Sequence, residues 1–174
     1  MVSLSDHLQN AFGVTNYRDL ATALPHSLTL DLDQGSDRHA KPLQHFLSAH
    51  DRMLTLLTLA CRGSTELLAL FPVIGGDQQA WLQAFDAARF PTTDLRGGTD
   101  GPPFWQPVTW PNLPPLLWLE AADGITIQPG GPGGLVILCP DLGIAVEFWQ
   151  GRSVTLRCTA AETLTTVEKQ IAAL

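Results

Sequence analysis

The chain carries little charge, and little of that is positive: Asp, Glu, Lys and Arg make up 16% of its 174 residues, with 10 Lys and Arg against 17 Asp and Glu. A net charge of −7 argues against a phosphate-backbone partner, because Lys and Arg carry most of the binding to DNA or RNA. Two readings of the acidic balance stay open, an aid to solubility or a complement to a partner with a basic surface. No apolar run approaches the ~20 residues of a helical membrane span. The start, Met1-Val-Ser-Leu-Ser-Asp-His7, lacks the basic segment and apolar block of a signal peptide. The expectation is a soluble, cytoplasmic protein with no membrane partner. Cysteine is scarce too: the 3 present have no metal-type spacing, and an odd number fits a reducing compartment.

Chemical motifs are also missing. There is no Gly-x-Ser-x-Gly elbow, no His-Glu-x-x-His, no Cys-x-x-Cys, no Walker loop and no dinucleotide fingerprint. The glycine-rich Pro129 to Gly134 feeds a strand, whereas a phosphate cradle feeds a helix N-terminus. No cofactor is expected, and the reading turns towards binding rather than catalysis.

What is present is a strong strand pattern from Leu135 to Cys158. With a four-residue loop over Pro140 to Gly143, Leu135, Ile137 and Cys139 face Phe148, Val146 and Ile144. A three-residue loop over Gln150 to Arg152 then sets those three against Val154, Leu156 and Cys158. Both hairpins put their apolar side chains on one face, and a one-residue slip would invert every strand, so the register is specified. The other face, with Val136, Leu138, Ala145, Glu147, Trp149, Ser153, Thr155 and Arg157, is mixed enough to need partial cover. Cys139 and Cys158 fall on the outer strands, ~10 Å apart, too far for a disulfide. Both are expected as buried, reduced thiols.

The remaining chain supports a single α+β domain over residues 1–174 with a mainly antiparallel sheet. Ser3 or Ser5 can cap a short helix that Gly13 ends, and a turn of helix is expected between Tyr17 and Leu24. Ser27 to Asp33 alternates strictly, with Leu28, Leu30 and Leu32 inward and Asp31 and Asp33 together on the opposite face. Lys41 to Arg62 is the longest helix, with Leu43, Phe46, Leu47, His50, Met53, Leu54, Leu57 and Cys61 on one stripe. Leu56 and Leu59 point away from that stripe, beside His45 and Arg52, so this helix is covered on two sides or offers a partner surface. Glu66 to Ile74 reads as a buried strand, and Asp77 caps a helix carrying Trp81, Leu82, Phe85 and Ala88. Pro102 to Pro115 is so rich in proline that the spacing predicts extended loop geometry without a regular ladder, anchored by Phe104, Trp105 and Trp110. Leu116 to Gln128 reads as a hairpin turning at Asp123-Gly124. Thr159-Ala-Ala-Glu162 matches a capping box for a closing helix whose stripe is Leu164, Val167, Ile171 and Leu174.

The order of features resembles an uncharacterised family of small bacterial proteins. In that family a strand like Ser27-Leu-Thr-Leu-Asp-Leu-Asp33 precedes a helix with Ala, three residues, Arg, and an acidic-turn strand pair and a closing helix come last. Ala49-His-Asp-Arg52 approximates the helix motif one residue short. Phe148-Trp-Gln-Gly-Arg152 stands near the acidic turn without its aspartates. Proteins of this size and class often neutralise toxins as immunity partners, so the resemblance implies binding.

The sequence therefore points to a non-catalytic module that binds a protein partner, one with a basic surface, through Phe104, Trp105, Trp110 and Trp118. The alternative is a small hydrolase or metal-dependent enzyme using His50 as general base, or the Asp31/Asp33 pair as metal ligands. A structural reading stands beside each: His50 as a core residue bonded to a carbonyl or carboxylate, the aspartates as solvated strand residues, and the tryptophans as core beneath a long strap. The oligomeric state is left open.

Overall fold

The computed structural model describes residues 3–32, 42–71, 96–98, 101–123, 134–149 and 152–172. The strands are β1 (His26–Asp31), β2 (Leu67–Phe71), β3 (Arg96–Gly98), β4 (Gly101–Val108), β5 (Leu135–Cys139), β6 (Ile144–Trp149) and β7 (Ser153–Cys158). They form one seven-stranded sheet in the order β1-β7-β6-β5-β2-β4-β3, antiparallel at every pairing. The helices are α1 (Leu4–Phe12), α2 (Leu20–Ala23), α3 (Pro42–Cys61), α4 (Leu113–Asp123) and α5 (Ala161–Ile171). The class is α+β.

The C-terminal meander has the expected register throughout. Leu135, Ile137 and Cys139 pair with Phe148, Val146 and Ile144, which pair in turn with Val154, Leu156 and Cys158. Cys139 and Cys158 thus flank Ile144 on separate strands and are not bonded to each other. Pro140–Leu142 forms a single tight turn closed by Gly143 in the left-handed region at φ 62°, the conformation that favours glycine. Edge strand β1 pairs with β7.

One face of the sheet meets three helices. Ile137, Val146 and Leu156 are buried there with Met53 and Leu57 of α3, Leu116 and Leu117 of α4 and Val167 of α5. Burial of each such side chain is worth about 1.5–3 kcal/mol, so this layer dominates the stability. The opposite face is covered over its β2, β4 and β5 half, where Leu68, Leu70, Trp105 and Leu138 pack with Leu8 of α1 and with Leu20 and Leu24. That accounts for the mixed character of the second face: Val136, Leu138 and Ala145 lie in this second core, while Trp149 stays exposed. Beyond it, Glu147 and Arg157 pair at 3.0 Å and the Thr29 and Thr155 hydroxyls meet at 3.0 Å.

At the N-terminus, Ser3 caps α1. Asp6 N–H donates to Ser3 Oγ at 3.1 Å, Ser3 N–H donates to Asp6 at 2.9 Å, and Gly13 ends the helix at φ 72°. These bonds hold the exposed Asp6 carboxyl below its ordinary pKa, Ser3's hydroxyl contributing most.

Several expectations are corrected. The proline-rich stretch is a strand, β4, laddered to β2 and in part to β3. Proline's extended φ suits a strand, and among the described residues β3, at Arg96–Gly98, is the strand on that edge of β4. Of the hairpin expected over Leu116 to Gln128, residues 124–128 lie outside the described residues, and the part up to Asp123 is the helix α4. Pro114 and Pro115 fall in its first turn, where a missing N–H costs nothing, and Leu, Ala and Glu propagate it. The capping box at Thr159 does not form: α5 begins after Ala160 with no side-chain cap, while Thr159 N–H donates to the Gly143 carbonyl at 3.2 Å. Cys139 is not a free thiol, because it forms a disulfide with Cys61 at the end of α3, Cα atoms 6.4 Å apart. The meander's register relates Cys139 to Cys158 alone, whereas this bond crosses from sheet to helix. It also removes reduced cysteine as a ground for a cytoplasmic location. Cys158 is free and buried, and burial pushes its thiol pKa up. The Asp77-capped helix, Asp33 and the Gly-rich 129–133 lie outside the described residues.

Candidate functional site

The tryptophans of the expected binding strip do not share one surface. Phe104 and Trp105 are consecutive on β4, where they pair with Phe71 and Leu70 of β2. Trp105 is 5% exposed in the core under α1, its ring edge-on to His7 at 5.3 Å. His7 also reaches Glu66 at 3.1 Å, which fixes α1 over the sheet. Trp110 is half-buried against the main core. Trp118 alone of the three tryptophans projects outward, at 53% exposure.

Trp118 stands on the side of α4 that meets α3, and its support is His50. The two rings meet edge-on with centroids 5.6 Å apart. His50 is 7% exposed; its Nε2 lies 3.3 Å from the Pro114 carbonyl, which accepts its proton, and Nδ1 lies 3.5 Å from Asp51 Oδ1. Asp51 itself is 82% exposed on the outer side of α3. The imidazole thus joins α3 to α4 and stiffens the indole, as the structural reading of a core histidine has it. Glu120, on the same helix as Trp118, is fully buried, which the hairpin reading of this stretch had no means of showing.

Following α3 around its outer surface from His50 leads through Asp51 and Thr55 to a cleft of about 480 Å³ between α3, the end of β1 and α5. Leu30, Leu32, Leu56 and Ile171 line its apolar part, with Asp31, Asp51, Arg52 and Thr55 around them. Arg52 Nη1 donates to the Leu32 carbonyl at the end of β1. The sequence held a trace of this site: Leu56 falls off the apolar stripe of α3 beside Arg52, as a residue does when the helix is covered by a second element.

Trp149, 50% exposed at the end of β6, and Leu142, 38% exposed in the β5–β6 turn, are the other large apolar side chains in solvent among the described residues. Groups of three or more His, Cys, Asp or Glu placed to hold a metal do not occur among the described residues. No described helix is long and apolar enough to cross a membrane. Compared with protein-family models, curated proteins and solved structures, the chain has no significant match.

Proposed function

We propose that this chain is a non-catalytic protein-binding module acting by stoichiometric association with a partner whose contacting surface is basic, as an immunity-type or regulatory protein does. The observation that carries the reading is the exposed indole of Trp118, held in place by the buried ring of His50. Trp is the side chain most enriched among interface hot spots, and one already fixed by its neighbours loses little conformational entropy on docking. The net charge of −7 and the exposed Asp51 beside it favour a basic counterpart. The ring nitrogens of His50 are directed at Pro114 and Asp51, which suits a supporting role better than that of a general base.

The test is to capture the partner from the native host, purify it, and titrate it by calorimetry with the wild-type chain and with a folded Trp118→Ala variant. A fixed stoichiometry and a roughly tenfold or greater loss of affinity are expected, matching the ≥1.4 kcal/mol of a hot-spot residue. Unchanged affinity would remove the reading, as would turnover of a small substrate that His50→Ala abolishes.

A further inference from the structure

The cleft beside Arg52 has the size and lining of a binding site. Its volume of about 480 Å³ lies within the range of small-molecule and side-chain clefts, and its inner surface is mostly leucine and isoleucine. Such a surface gains by covering with an unbranched aliphatic group. The rim decides which one. Among the described residues, Asp31 and Asp51 bring carboxylates to it against the guanidinium of Arg52, which also donates through Nη1 to the Leu32 carbonyl. The described lining residues therefore carry a net negative charge, matched by an aliphatic chain that ends in an ammonium group. A lysine side chain has that form: its methylene stem covers apolar surface while its charged end stays at the wet edge. Asp51 lies next to His50, so the cleft and the Trp118 anchor are joined across the outer surface of α3.

We propose that this cleft receives a lysine side chain of the partner protein, and that Asp51 pairs with its ammonium. The inference rests on the protein-binding reading above, and its chemistry can be examined without the partner. The probe is n-hexylamine, titrated into the isotope-labelled full chain by NMR, with n-hexanoate as the control of equal length and opposite charge. Saturable shifts at Leu30, Thr55, Leu56 and Ile171 are expected with hexylamine, weakened at least threefold in Asp51→Asn, and at least tenfold weaker with hexanoate. If hexanoate binds as well or better, Arg52 governs the site and the assignment is wrong; the absence of localised shifts with either probe overturns it equally.

With the partner in hand, Thr55→Trp covers the mouth of the cleft from an exposed position and should weaken association at least tenfold. Lys→Met variants of the partner should identify one lysine with the same loss. If Trp118→Ala weakens the complex but Thr55→Trp and Asp51→Asn do not, the protein-binding reading stands and the lysine site falls. If hexylamine binds as expected but no variant alters association, the cleft serves a small amine and the partner assignment is overturned.

Discussion

Ser64 and Asp141, 77 residues apart in sequence, share a hydrogen bond of 2.6 Å from the serine hydroxyl to Oδ1. The other carboxylate oxygen accepts from Thr65 N–H at 2.7 Å and from Thr65 Oγ1 at 3.1 Å. The same two loops are tied a few residues away by the Cys61–Cys139 disulfide. One covalent and one polar tether therefore fix the end of α3 to the β5–β6 turn.

Burial alone would raise the pKa of Asp141, but the bonds from Ser64 and Thr65 outweigh it and hold the carboxyl below its ordinary value. A carboxyl depressed in the folded state contributes stability above its unfolded pKa and loses that contribution as pH falls through the folded one. Asp141→Asn should cost about 1 kcal/mol near neutrality, a modest figure because the group is partly solvated. The difference from wild type should shrink below about pH 4, near the unfolded pKa of aspartate. Denaturant titrations from neutral pH to pH 3 check this, and a constant difference would contradict it.

The disulfide makes a counted prediction. Denatured but unreduced protein should titrate as a single thiol, Cys158, and native protein should label slowly because that thiol is buried with a raised pKa. Reduction should lower stability by about 2–4 kcal/mol, the usual effect of opening a long loop. Three fast-labelling thiols in the untreated native protein would count against it.

Gly134 enters β5 with φ 62°, and a Cβ there would meet the Phe148 carbonyl at 2.8 Å, a backbone atom that cannot turn aside. Gly134→Ala should therefore destabilise by about 1–3 kcal/mol. Gly13→Ala, at φ 72° with open space around it, should cost only the left-handed penalty of about 1–2 kcal/mol. Thermal melts of the pair distinguish the two cases, and a larger loss at Gly13 would show the contact at Gly134 to be relieved.

His50→Ala should lower stability by about 1–3 kcal/mol through loss of its bond to the Pro114 carbonyl and its contact with Trp118. Trp118 fluorescence should shift towards that of a solvated indole. An unperturbed spectrum together with full stability would mean that the imidazole does not support the anchor.

Native-state hydrogen exchange should be slowest within residues 135–158, where both neighbours of β6 are paired and the inward side chains are buried. Faster exchange there than in α1 would be incompatible with the sheet as the centre of stability.

Local pattern was sufficient where two independent periodicities had to agree. The meander's register, the alternation of β1 and the length of α3 could all be read from residue order, because a period of two or of 3.6 with a buried face tolerates no slip. It was insufficient where local preference is weak or divided. Prolines at 102, 103 and 107 suit a loop or an edge strand equally, and only pairing with β2 decides between them. Leu116 to Asp123 carries apolar residues without a clear period; α4 is helical because Leu113, Leu116 and Leu117 are buried against the sheet and α3 together. Thr159 matched a cap by spacing, yet its backbone N–H is held by Gly143. The sequence by itself determined the strand register and the acidic, motif-poor character of the chain. Tertiary structure alone decided that Cys61 meets Cys139, that Trp105 is buried while Trp118 is exposed, and that Leu30, Leu56 and Ile171 enclose one cleft. Each of these joins residues far apart in the chain, and their proximity depends on how helices stack on the sheet, which no short-range spacing encodes.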